Sequence, residues 1–119
     1  MTTTVIAGGL AILAGCGGET AVPAQRDGAS LYAASCATCH GRDLRGTPLG
    51  PSMLSVVYEP SHHSDESFFA AVRNGVVPHH WNFGPMPPVG GLSDDDITAI
   101  IAHVRATQNR EGFEPYPPG

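Results

Sequence analysis

Two thiols and an imidazole stand together in the run Cys36, Ala37, Thr38, Cys39, His40. Thiols three residues apart on a helical turn share one side of it, and the residue after them follows on the same turn. Three chemistries use such a pair. Dithiol redox exchange needs a βαβ context, and a zinc half-site needs a second Cys/His pair at ligand spacing. The sequence supplies neither. The third is attachment of a c-type haem, whose CxxCH signature this run matches. Each thiol adds to one of the two vinyl groups, and the histidine directly after them lies under the iron. Cys36 and Cys39 are therefore the expected covalent anchors of one haem c, and His40 an axial iron ligand.

An iron held on one side by His40 needs a sixth ligand. Met86 lies in Phe83, Gly84, Pro85, Met86, Pro87, Pro88, where prolines on both sides restrict the backbone and help hold a weak thioether ligand. Met53 is the rival, two residues past Pro51, and reads better as a filler of the haem crevice. Met86 is the expected ligand, and His/Met ligation raises the reduction potential. Two histidine pairs accompany this loop system. His62 and His63 precede a predicted helix, and His79 and His80 precede Trp81. Their plain reading is exposed loop residues. The sharper alternatives are replacement of Met86 on iron by His79 or His80, copper binding, or part of a docking edge. Trp81 reads as haem packing, and Arg42 and Arg45 as candidates for propionate contacts or as solvated charge.

Helices must position these groups. The first is expected over residues 27–39, with Asp27 as N-cap, Leu31, Tyr32 and Ser35 on one face, and the Cys pair in the last turn. A loop rich in Gly and Pro follows, holding Gly41, Gly46, Pro48, Gly50 and Pro51. Ser64 caps a second helix, with Asp65 and Glu66 in its first turn, Phe68, Phe69 and Val72 as its apolar stripe and Gly75 as terminator. Ser93 caps a third, in which Asp94, Asp95 and Asp96 suit the positive end of the dipole. There Ile97, Ile100, Ile101 and Val104 repeat at i, i+3, i+4, i+7. No period-two run is long enough for a sheet, and no internal repeat is present. The fold class is all-α.

The order of these features resembles the class I cytochromes c over nearly all of residues 27–110. Gly28 and Tyr32 ahead of the Cys pair, Gly41 after it, Gly50 and Pro51 in the next loop, Met86 before Pro87 and the capped last helix carry the resemblance. It implies a cytochrome c fold, three main helices around one covalent haem, in which the N- and C-terminal helices cross at a small glycine, here Gly28. It also implies that Pro51 offers its carbonyl to the second ring nitrogen of His40, fixing tautomer and ring plane, and that the methionine before the last helix is the axial one. His103 departs from the family, which usually has an aromatic there.

The 119 residues allow one domain, and composition narrows its partners. Eleven acidic and six basic residues give a formal charge of -5, there is no lysine, and no Lys/Arg cluster could neutralise a nucleic-acid backbone. Residues 5–14 are apolar and small, far short of the roughly 20 needed to span a bilayer. They end in Leu13, Ala14, Gly15, Cys16, which resembles a bacterial lipobox, although residues 1–5 lack the usual positive charge. The expected organisation is a lipoprotein signal peptide over residues 1–15 and a flexible tether over 16–26 from a lipidated Cys16. A cytochrome domain over 27–112 and a Pro-rich tail over 113–119 complete it. Ten tether residues reach roughly 16 to 19 Å.

The functional expectation is a monohaem single-electron carrier, not an enzyme, exported and lipid-anchored on the outer face of the cytoplasmic membrane or in the periplasm. Its partners are redox proteins. Two alternatives stand beside it: a haem-bearing subunit of a larger oxidase or dehydrogenase, and a haem enzyme or gas sensor with an open sixth position.

Overall fold

The Asp27 carboxylate accepts hydrogen bonds from the backbone N–H groups of Ala29 and Ser30, at 3.3 and 3.1 Å, and from the Ser30 hydroxyl at 2.9 Å. Helix α1, Gly28–Ser35, therefore starts at a capped end in this computed structural model, which describes residues 27–116. It stops earlier than the sequence predicts. Cys36 leaves helical geometry, with φ -123° and ψ -35°, and its carbonyl starts a separate turn by accepting from the N–H groups of Cys39 and His40 at 3.2 and 3.0 Å. This turn is α2, Ala37–His40. A single helix over residues 27–39 is thus corrected to two. The break gives the Cys–His turn its own orientation, with Ala37 and His40 buried and Thr38 and Cys39 exposed. No glycine or proline marks it, and tertiary burial of His40 outweighs local helix preference.

The two later helices begin where their caps predict, and the first of them ends at its predicted terminator. In α3, Asp65–Asn74, the Ser64 hydroxyl accepts from the Ser67 N–H, and Gly75 closes the last turn. Helix α4, Asp94–Glu111, opens on a capping box: the Ser93 hydroxyl accepts from the Asp96 N–H at 3.1 Å, and the Asp96 carboxylate accepts from the Ser93 N–H at 2.9 Å. Its stripe of Ile97, Ile100, Ile101 and Val104 is buried and continues into Thr107 and Gln108. Arg105 ties this helix to α3 and to the segment before it: it donates to Asp65 at 2.7 Å and to the Tyr58 carbonyl at 2.7 Å, and it lies 4.7 Å over the Phe68 ring. Arg73 of α3 reaches across to Asp94 and to the Leu92 carbonyl.

Helices α1 and α4 cross at Gly28. A Cβ placed there would sit 2.1 Å from the Ala99 carbonyl oxygen, so only glycine lets the backbones approach this closely. One turn on, the rings of Tyr32 and His103 pack with centroids 5.5 Å apart. An imidazole therefore fills the place where the resemblance leads one to expect an aromatic. The core joins Leu31 and Tyr32 of α1 to the α4 stripe, with Leu44 and Leu54 from the connecting loop and Val72 from α3.

Among the described residues there are no strands, only isolated bridges: Thr47 with Gly50, Ser55 with Glu114, and Val76 with Met86. The second draws the start of the tail along the 54–56 segment, where the Val56 N–H donates to the Glu114 carbonyl at 2.8 Å and the Glu114 N–H to the Leu54 carbonyl at 2.7 Å. The expected signal peptide and tether, with Cys16, and residues 117–119 lie outside the described residues.

Candidate haem site

The α2 turn is held rigidly by groups around it. Tyr32, fully buried, donates its hydroxyl to the Gly41 carbonyl at 2.9 Å. The Thr47 hydroxyl donates to the Cys39 carbonyl at 2.8 Å, and the Gly46 N–H to the His40 carbonyl at 2.9 Å. Gly50 presses on the same turn, and a Cβ there would lie 2.9 Å from the Cys39 carbonyl oxygen. The carbonyls at the end of this turn are thus satisfied by one side chain of α1 and by the loop that follows, which fixes the direction in which Cys39 and His40 point. Sequence reading placed Tyr32 by helical spacing and by resemblance but not its hydroxyl contact, and it did not find Thr47, because a hydroxyl eight residues past a motif carries no periodic signal.

His40 is buried, and its Nδ1 lies 3.0 Å from the Pro51 carbonyl oxygen. The carbonyl can only accept, so Nδ1 carries the proton and Nε2 keeps a free lone pair for a metal. Burial pushes the imidazole below its ordinary pKa, against the opposing pull of the Pro51 carbonyl, and so favours the neutral form that binds iron. Both thiols are free, Cys36 half-buried and Cys39 exposed. Burial, with a contribution from neighbouring Cys39, pushes the Cys36 thiol up to about 11, which keeps it protonated.

Met86 is half-buried and locked by two backbone hydrogen bonds to Val76, at 2.9 and 3.0 Å. This bridge closes residues 76–86 into a loop with Met86 at its neck, a constraint added to that of the prolines. Met53 packs partly buried against the core, with its N–H on the Leu44 carbonyl at 2.7 Å and its carbonyl accepting from Gln108 at 2.7 Å. Arg42 and Arg45 line a cleft of about 170 Å³ with His103, Thr107, Arg110 and Glu111 of α4. There Arg45 pairs with Glu111 and Glu114.

The histidine pairs, separate in sequence, come together in space. His62 Nε2 lies 3.3 Å from His80 Nε2, and the rings of His63 and His79 stack with centroids 5.8 Å apart. Trp81 stacks on Tyr58 at 5.4 Å and meets Tyr116 edge-on at 5.5 Å.

These groups fit a covalently held haem. Two unpaired thiols and an imidazole with a free nitrogen share one turn, and the loops that carry Pro51 and Met86 expose apolar Leu49, Val77 and Phe83, surface that a macrocycle can cover. Comparison with known proteins agrees. A family model described as cytochrome c oxidase, cbb3-type, subunit III matches residues 23–104. Cytochrome c-551 of Bacillus subtilis (strain 168) is 34% identical over 102 residues, which cover 76% of this chain and 80% of that protein. With motif, fold and relatives in agreement, the chain belongs to the class I c-type cytochromes, as a monohaem electron carrier with covalently bound haem c.

Proposed function

We propose that Cys36 and Cys39 are the two thioether anchors and that His40 Nε2 and Met86 sulfur are the axial iron ligands. The observation that carries the reading is the 3.0 Å contact from His40 Nδ1 to the Pro51 carbonyl, which frees Nε2 within a CxxCH turn. The haem, when bound, supplies a one-electron Fe(III)/Fe(II) couple. The chain's own residues do the rest. Pro51 keeps the His40 proton on Nδ1, Tyr32 and Thr47 hold the turn, and the Val76–Met86 bridge limits how far the methionine loop can move. Arg42 and Arg45 are the candidates for propionate contacts, with Glu111 and Glu114 competing for Arg45. With both axial positions filled there is no open site for a substrate, so the protein is a carrier and not an enzyme. Met86→Ala is expected to abolish the weak near-infrared band of sulfur ligation and to lower the reduction potential. Loss of that band in Met53→Ala instead would overturn the assignment, and ready CO binding by the ferrous protein at neutral pH would favour an open sixth site.

The carrier is proposed to be exported and tethered by a lipid on Cys16, serving redox proteins at the outer face of the cytoplasmic membrane or in the periplasm. Among the described residues no helix is long and apolar enough to cross a membrane. Cys16→Ser should therefore release the protein from membranes into the soluble fraction. A second reading, a haem subunit within a larger oxidase, is favoured by the description of the matching family model. Purification in mild detergent separates the two, because a subunit brings down partners in fixed stoichiometry.

A further inference from the structure

We propose that His62, His63 and His80 form a second metal site, separate from the haem, for a divalent ion of the zinc and copper class. One nitrogen from each ring lies within 4.8 Å of the others, although the residues come from two segments 17 positions apart along the chain. Zinc–imidazole bonds of about 2.0 to 2.1 Å at tetrahedral angles put ligand nitrogens about 3.3 to 3.4 Å from each other. His62 Nε2 and His80 Nε2 are 3.3 Å apart, already at that separation. The two nitrogens thus face each other within hydrogen-bond reach, as two ligands of one ion would.

His63 is oriented as metal-binding histidines usually are. Its Nδ1 lies 2.6 Å from the Val57 carbonyl oxygen, which assigns the proton to Nδ1 and leaves Nε2 as the donor atom. Its backbone is fixed as well, because Arg105 of α4 donates to the His63 and Tyr58 carbonyls. The guanidinium charge is answered by Asp65 at 2.7 Å, so it does not stand bare against a cation. On the other side, Tyr116 donates to the His80 carbonyl at 2.7 Å and holds that segment. His62 is exposed and His63 and His80 are half-buried, so an ion could enter from solvent and keep water as a fourth ligand. Imidazole ligands of this kind suit zinc, copper and nickel, and exclude calcium and magnesium. A bound ion would join residues 62–63 to the loop whose neck is Met86.

The test uses the full-length holoprotein, stripped of metal with EDTA and titrated calorimetrically with Zn²⁺. The expected result is one equivalent bound in addition to the haem iron, with a raised thermal midpoint and an unchanged Soret and near-infrared spectrum. His62→Gln, at an exposed position, should keep the haem spectrum and weaken Zn²⁺ binding by about 100-fold or more, since losing even an outer-sphere partner of a metal ligand costs 10- to 100-fold. His80→Gln should do the same. No stoichiometric Zn²⁺ binding, or binding that survives both substitutions, overturns the site. A Zn²⁺-induced change in the near-infrared band would also overturn it as a separate site, because the ion would then be acting through the axial ligand of iron. The Zn²⁺ stoichiometry and its loss in the two variants do not depend on whether Met86 is that ligand.

Discussion

At the scale of single residues, the site depends on where a few protons and carbonyls are placed. His40 becomes a usable ligand because a carbonyl takes its Nδ1 proton, and the turn keeps its shape because a buried phenol reaches a backbone oxygen. The phenol of Tyr32 is held protonated, well above its usual range, chiefly by burial, so it acts only as a donor to Gly41. Tyr32→Phe keeps the ring and its packing on His103 but leaves the Gly41 carbonyl without this partner. It should cost about 1 to 2 kcal/mol in chemical denaturation while leaving the visible spectrum nearly intact. A loss of covalent haem in this variant would mean that the hydroxyl is needed to set the turn for attachment. CxxCH was legible from residue types alone. The hydroxyl contacts of Tyr32 and Thr47 were not, because hydrogen bonds across eight or nine positions depend on a loop path that local patterns do not encode.

At the scale of elements, legibility followed the caps. Ser64, Ser93, Gly75 and the acidic first turns located α3 and α4 because each supplies a hydrogen bond or charge that a helix end requires. The break at Cys36 was invisible, since CATCH contains no residue that opposes helix, and the change of direction comes from packing His40 inward. The meeting of His62 with His80 was equally hidden, for it depends on two loops 18 positions apart coming together in space. The crossing of α1 and α4 offers a direct check. Gly28→Val would drive a side chain into the Ala99 carbonyl, and should lower stability by about 3 kcal/mol or more and the thermal midpoint by at least about 10 °C.

The start of α1 makes a prediction in pH. Hydrogen bonds from the Ser30 hydroxyl, then from the Ser30 and Ala29 N–H groups, hold the Asp27 carboxyl below its ordinary value of 3.8. A carboxyl whose folded pKa is depressed gives its stabilisation in full above the unfolded value and loses it as pH falls through the folded one. Above the ordinary value of 3.8, denaturation midpoints of the natural protein and Asp27→Asn should therefore keep a constant offset. As the pH falls below 3.8 and through the lower folded value, the natural protein should lose ground to the variant, because asparagine caps without titrating. A pH-independent difference between the two would remove Asp27 as a titrating cap.

At the scale of the whole molecule, the carrier works through encounters, and its charge sets their rate. Eleven acidic residues against six arginines, with no lysine, give a formal charge of -5, and two haem propionates deepen it. The arginines that the structure fixes are largely neutralised where they stand: Arg45 by Glu111 and Glu114, Arg73 by Asp94, Arg105 by Asp65. Little positive charge is left free to steer an anionic partner, so the surrounding field is negative out to about one Debye length from the surface. Oxidation of the ferrous protein by a small cationic complex should then be fast at about 10 mM salt and slow several-fold by about 500 mM, as the Debye length falls from roughly 30 Å to below 5 Å. An anionic oxidant should show the opposite slope, speeding up as salt screens the repulsion. Stopped-flow rates with both oxidants across that range read the sign directly. If the anionic oxidant slows with added salt, the electron must leave through a locally positive patch, and Arg42, which has no ion pair among the described residues, would be the first residue to neutralise.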